Sequence, residues 1–205
     1  IIIFRIAIFI VFMILSYLLS ANYQDMIGFA LVLSVGLIHG ANDLLIIKKN
    51  SKNTSNFSQF RTFFTYIVVV FIGLIFFYLI PSFALITFIF VSIYHFGEQH
   101  LEAIPITRKL KSNYRVISIL SHGIILFTII FMNNIEAVNN VFFSFKINFL
   151  SSNTLNLILI TGSVVYMSTL VINKYLTSFI ISEILFFVLF YFLSMSSTLI
   201  LCFSV

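Results

Sequence analysis

Residues 116–133 read VISILSHGIILFTIIFMN, eighteen consecutive positions without a charged side chain. At 1.5 Å per residue such a run is about 27 Å long as a helix, close to the roughly 30 Å hydrocarbon core of a bilayer. A strand of a membrane barrel is about half as long and alternates polar with apolar residues, which this segment does not. It is read as a transmembrane α-helix that carries one imidazole, His122, in its interior.

Working outward from it, comparable apolar runs occupy 2–20, 26–47, 62–80, 82–100, 154–172 and 176–195, and another begins near Ser197. Asn, Ser, Lys and Pro concentrate between them, as connections require. The chain therefore reads as all-α, a polytopic transmembrane helix bundle of seven helices plus the start of an eighth. Residues 1–205 are taken as one transmembrane domain, read as a fragment with its C-terminal helix incomplete. Composition agrees: 61% hydrophobic, 18% aromatic and 8% charged residues, with mean hydropathy +1.16, against about 25% charge in soluble domains. A soluble enzyme, a disulfide scaffold and a nucleic-acid-binding module are excluded. The single Cys202 can form no internal disulfide.

The net charge of +5 is a topology signal. Lys48, Lys49, Lys52 and Arg61 fall in the 48–61 loop, and Arg108, Lys109, Lys111 and Arg115 in the 101–115 loop. With Arg5 and Lys174, ten of the eleven basic residues lie on one side, leaving only Lys146 on the other. Cytoplasmic loops carry such an excess, so the N-terminus of this multi-pass chain is expected on the cytoplasmic side.

His39, His95 and His122 each lie six to nine residues from a cytoplasmic boundary, about 9 to 14 Å deep. Imidazoles at one depth on different helices can converge on a metal inside a bundle. The bland alternative for each is an interhelical hydrogen bond. Asp43 follows His39 by four residues and Glu98 follows His95 by three, so each shares a helical face with its histidine and could fix its tautomer as an outer-shell partner. Glu183, at similar depth, is a further such carboxylate or a polar helix contact. His100 sits beside Glu98 and Glu102, where interfacial solvation is the expectation. Tyr94 and Phe96, with Tyr66, Tyr78, Phe88 and Phe90, could line an apolar cavity or simply pack. No phosphate loop, HExxH, CxxC or serine elbow is present. A metal enzyme and a proton- or ion-coupled transporter using intramembrane His, Asp and Glu both remain open at this point.

Two segments narrow the choice. Gly36-Leu37-Ile38-His39-Gly40-Ala41-Asn42-Asp43 and Tyr94-His95-Phe96-Gly97 resemble the Brp/Blh family of β-carotene 15,15'-dioxygenases, whose members carry Gly-x-x-His-Gly-Ala-x-Asp and Tyr-His-Phe-Gly segments in this order on even-numbered helices. The resemblance implies an inner-membrane iron enzyme that splits β-carotene with O2 into two retinals, which supply a microbial rhodopsin. It implies His39 and His95 as Fe(2+) ligands and catalytic residues, with two more histidines on a helix beginning near the last residues of this sequence. A His pair is accordingly expected at about positions 206–216. His122 has no counterpart in the motifs and is the second choice as a ligand. His100 stands where the family often has an acidic residue.

Overall fold

A computed structural model describes residues 2–34, 56–102, 104, 112–173 and 177–205. These form helices α1 (Ile2–Leu18), α2 (residues 21–34), α3 (Asn56–Leu79), α4 (Pro81–Glu102), α5 (Ser112–Asn133), α6 (Ile135–Ser144), α7 (Ser152–Ile172), α8 (Thr177–Ser196) and α9 (Leu199–Ser204), with no strand among the described residues. Four of them, α4, α5, α7 and α8, are long and apolar enough to cross a membrane. The protein is an all-helical membrane bundle, and apolar side chains such as Ile72, Tyr78 and Phe90 cover its outside. That outward apolarity is what lipid demands, since hydrocarbon solvates these groups as well as a protein interior does.

Helix α5 is the axis. Of its apolar window 61% is buried, against 22–28% for the other three spans, and it packs against α4, α7 and α8. Small polar residues join these helices. Ser118 donates to Thr169 Oγ1 at 2.8 Å between α5 and α7, and Ser194 of α8 donates to the Ile129 carbonyl at 3.3 Å. Helix α1 covers α8, with Ser16 donating to Ser196 Oγ at 2.8 Å. Where lipid gives no hydrophobic drive between helices, such close contacts and hydrogen bonds do the joining.

The tightest crossing is that of α4 over α5. A Cβ added to Gly97 would run into the carbonyl oxygen of Ile119, and one added to Gly123 into the carbonyl of Ile93. Only glycine at both places lets the two backbones touch. His100 lies one turn beyond Gly97, and His122 immediately precedes Gly123. The glycine pair therefore sets the spacing of the two imidazoles.

Gln24, 5% exposed, ties the first helices to the last. Its amide donates to the Ser16 carbonyl at 2.8 Å, while its oxygen accepts from the backbone of Thr198 at 2.8 Å. Thr198 in turn caps α9 by accepting from Leu201 N at 3.4 Å, so that helix starts at Leu199 rather than at Ser197.

The sequence pattern differs from the structure in the 134–153 stretch, expected as a plain connection. It contains α6, which buries Val138 and Phe142. Only ten residues long, it escapes a search for membrane-length runs. Asn139 pins the following return by accepting from Leu150 N at 2.8 Å and donating to its carbonyl at 3.2 Å. Ser151 then caps α7 by accepting from Thr154 N at 3.1 Å.

Candidate metal centre

Helices α4, α5 and α8 each send one ionisable side chain to a common point. His100, His122 and Glu183 are 8%, 0% and 2% exposed, and one ligand atom from each lies within 4.8 Å of the others. The imidazoles stack with centroids 4.0 Å apart and planes inclined by 23°. His100 Nε2 is 3.1 Å from both oxygens of Glu183, a fork into which a protonated Nε2 donates. His122 Nε2 is 3.8 Å from Glu183 Oε2. From α7, the hydroxyl of Tyr166 donates to the same Oε2 at 2.6 Å, and its ring meets His122 edge-on at 5.3 Å.

Three donors buried together are costly unless paired, because each loses its hydration. Here His100 and Tyr166 both hydrogen-bond Glu183, and Tyr166, fully buried, orients the carboxylate. Two imidazoles and one carboxylate with neighbouring space are also the donor set of non-haem iron oxygenases, and imidazole with carboxylate suits a borderline divalent cation. On donor chemistry the residues fit such an ion.

The other sequence-derived candidates fall elsewhere. His39 and Asp43 lie outside the described residues. His95 is on α4 but is exposed; five residues from His100, it points about 140° around the helix from it. Its ring lies 6.2 Å from that of Phe96. Glu98 accepts from the Tyr94 hydroxyl at 3.3 Å and lies 3.9 Å from Arg115, which pairs more closely with Glu102 at 2.7 Å. Those four residues make a partly exposed polar cluster where α4 ends and α5 begins.

His100 departs from its expected wet edge. Helix α4 runs on to Glu102 rather than stopping at 100, and His100 in its final turn is aimed at α5 and α8. Tyr166 carried a signal that sequence reading passed over: a hydroxyl in mid-span needs a partner, and a tyrosine there points to a buried acceptor.

A cavity of about 290 Å³ adjoins the group. His100 forms part of its wall, and Phe9, Phe96, Phe127, Phe186 and Phe203 form much of the rest. Phe96 stacks edgewise on Phe127 at 5.8 Å and on Phe203 at 5.3 Å. Tyr94 is not among the lining residues. The space suits an apolar, planar ligand and lies beside the His100 imidazole.

Residues 30–205 match a family model described as beta-carotene 15,15'-dioxygenase. No curated protein and no solved structure matches the chain.

Proposed function

Because this chain belongs to the beta-carotene 15,15'-dioxygenase family, we propose that it cleaves β-carotene with O2 at the central double bond to give two molecules of all-trans-retinal. The observation that carries the reading is the buried His100–His122–Glu183 group opening onto an aromatic cavity inside a membrane bundle. A C40 hydrocarbon partitions into the bilayer, and an apolar cavity within the helices receives it without crossing water.

The residues proposed to hold a ferrous ion are His100, His122 and Glu183. Such an ion supplies O2 binding and redox chemistry that no protein side chain offers. The chain contributes the rest. Tyr166 holds Glu183 by its hydroxyl and so fixes the carboxylate against the imidazoles. Phe186 and Phe187 lie against the imidazole rings, at 4.4 Å from His100 and 4.9 Å from His122 respectively, and keep the group dry. The cavity aligns the polyene by apolar contact alone, as a substrate without polar groups requires.

A second reading of the ligands comes from the motifs. His39 and His95 stand in the two segments that carry the family resemblance, and this reading makes them the iron ligands, with His100, His122 and Glu183 as a hydrogen-bonded support. The two readings part on metal content after single substitutions.

The orientation proposed is an N-terminus in the cytoplasm of a cell's inner membrane, with retinal passing to a microbial rhodopsin. Expressing the complete reading frame in carotene-accumulating cells and extracting retinoids tests the function. Loss of carotene colour with accumulation of retinal is expected. Carotene that persists beside well-folded, metal-loaded protein would turn the reading toward an ion-coupled transporter.

A further inference from the structure

The cavity beside His100, about 290 Å³, is at the small end of what drug-sized ligands occupy, roughly 300–1,000 Å³, and a C40 hydrocarbon is larger than most of those. A second cavity of about 270 Å³ shares Phe127 and Phe203 with it as common wall. Phe29 of α2, Leu85 and Phe88 of α4, Phe131 of α5, Val141 of α6 and Ile200 of α9 frame this second space, and every described residue of its wall is apolar. Helices α2 and α9 close one side with touching backbones: a Cβ on Gly28 would come within 2.8 Å of Leu201 N. The rings at the junction are in contact, Phe127 with Phe203 at 5.9 Å and Phe203 with Phe88 at 6.3 Å.

Its distance from the imidazoles follows from the helices. Phe88 precedes His100 by twelve residues on α4, and Phe131 follows His122 by nine on α5, so at 1.5 Å per residue the second cavity begins roughly 14 to 18 Å along the bundle from the metal group. From the central double bond of β-carotene to the far edge of an end ring is nine chain bonds and three across the ring, about 14 Å at the roughly 1.2 Å per bond of a fully extended chain. The two lengths agree. A hydrocarbon polyene offers nothing polar by which one double bond is told from the next, so the seat of its end decides which bond reaches the imidazoles.

We infer that the second cavity is the seat of one end ring of the polyene, and that seating the ring there brings the central double bond beside His100. This inference rests on the cleavage reading above. With the ring seated, the C=C bond at the midpoint and the O–O bond of one O2 are broken, each of the two carbons takes one oxygen, and two equal aldehydes leave. A ring held short of its seat, or sunk beyond it, presents an off-centre bond. The balance is unchanged, one carotene and one O2 giving two aldehydes, but one apocarotenal is then longer and the other shorter.

The test uses the full-length protein with its Val141→Phe, Phe88→Ala and Val91→Phe variants, with products from β-carotene separated by chromatography and KM, kcat and bound iron measured in each. Val141→Phe narrows the second cavity and Phe88→Ala widens it. Val91, 62% exposed, lines neither cavity. All three should keep iron. Val141→Phe and Phe88→Ala should each raise the ratio of off-centre apocarotenals to retinal roughly tenfold, the discrimination that an apolar contact supplies, and Val141→Phe should raise KM more than it lowers kcat. Val91→Phe should match the wild type. Retinal as the sole product, at wild-type KM, of both iron-loaded cavity variants would overturn the assignment, as would an equal shift in Val91→Phe. Loss of iron from both cavity variants would overturn it too, by tying the second cavity to the metal centre instead of to the substrate. A wild-type protein that yields no aldehyde at all removes the cleavage reading, and this inference with it.

Discussion

His100 and His122 stack at 4.0 Å because the backbones of α4 and α5 touch at Gly97 and Gly123, with no room for a Cβ at either position. Packing and site chemistry are therefore one feature here. A helix pair held further apart by ordinary side chains would separate the imidazoles and open the buried group to lipid.

Gly123→Ala should accordingly cost more than a typical helix substitution, where alanine is usually favoured. Overpacking against a carbonyl is worth about 1–3 kcal/mol, and the crossing must shift to relieve it. Thermal unfolding in detergent should show a lowered midpoint together with loss of bound metal. An unchanged midpoint with full metal would mean that the crossing does not position the site.

Much of this was legible in the sequence. The spans at 116–133 and 154–172 correspond closely to α5 and α7, since continuous apolar runs have few readings. That Gly97 and Gly123 meet at one crossing was not legible, because it depends on which helices come together. The site was harder to read. His122 could be singled out by depth, but His100 looked wet because its neighbours Glu98 and Glu102 are charged, and sequence proximity conceals that α4 turns these residues to different sides. Helix α6 was hidden by its length. Glu183 could be seen as a buried acid, whereas its bond to Tyr166 joins residues on two helices, and the mid-span hydroxyl signals only that some acceptor is near, not which one.

Tyr166→Phe removes the 2.6 Å hydrogen bond to Glu183 and nothing of the ring packing. The fold should survive, since a buried acceptor left short of a donor costs about 1–3 kcal/mol. Metal affinity should fall by roughly 10- to 100-fold, as when an outer-shell partner is lost. Titration with ferrous ion under anaerobic conditions measures it. Unchanged affinity would place the carboxylate outside the ligand set.

Gln24→Ala cuts the link between the Ser16 carbonyl and the start of α9. The bonds to the Ser16 and Leu19 carbonyls and from Thr198 N are lost, far from the imidazoles. Stability should drop by about 1–3 kcal/mol, read from a denaturation midpoint, while metal content stays at the wild-type level. Metal loss here would indicate that α9 shapes the centre and not only the cavity wall.

Topology has its own check. A cysteine at Asn53, in a Cys202→Ser background, should resist a membrane-impermeant maleimide added outside sealed cells and react once the membrane is opened. Labelling of intact cells would invert the orientation read from the basic loops.

The central claim is that the buried His100–His122–Glu183 group holds the metal, and metal analysis of the purified full-length protein tests it most directly. After reconstitution with ferrous ion, the wild type should bind it, His122→Ala should lose at least about nine-tenths of it, as expected for a removed ligand rather than an outer-shell partner, and His95→Ala should keep it. Full occupancy in His122→Ala together with an empty His95→Ala would contradict the claim and move the ion to the motif histidines.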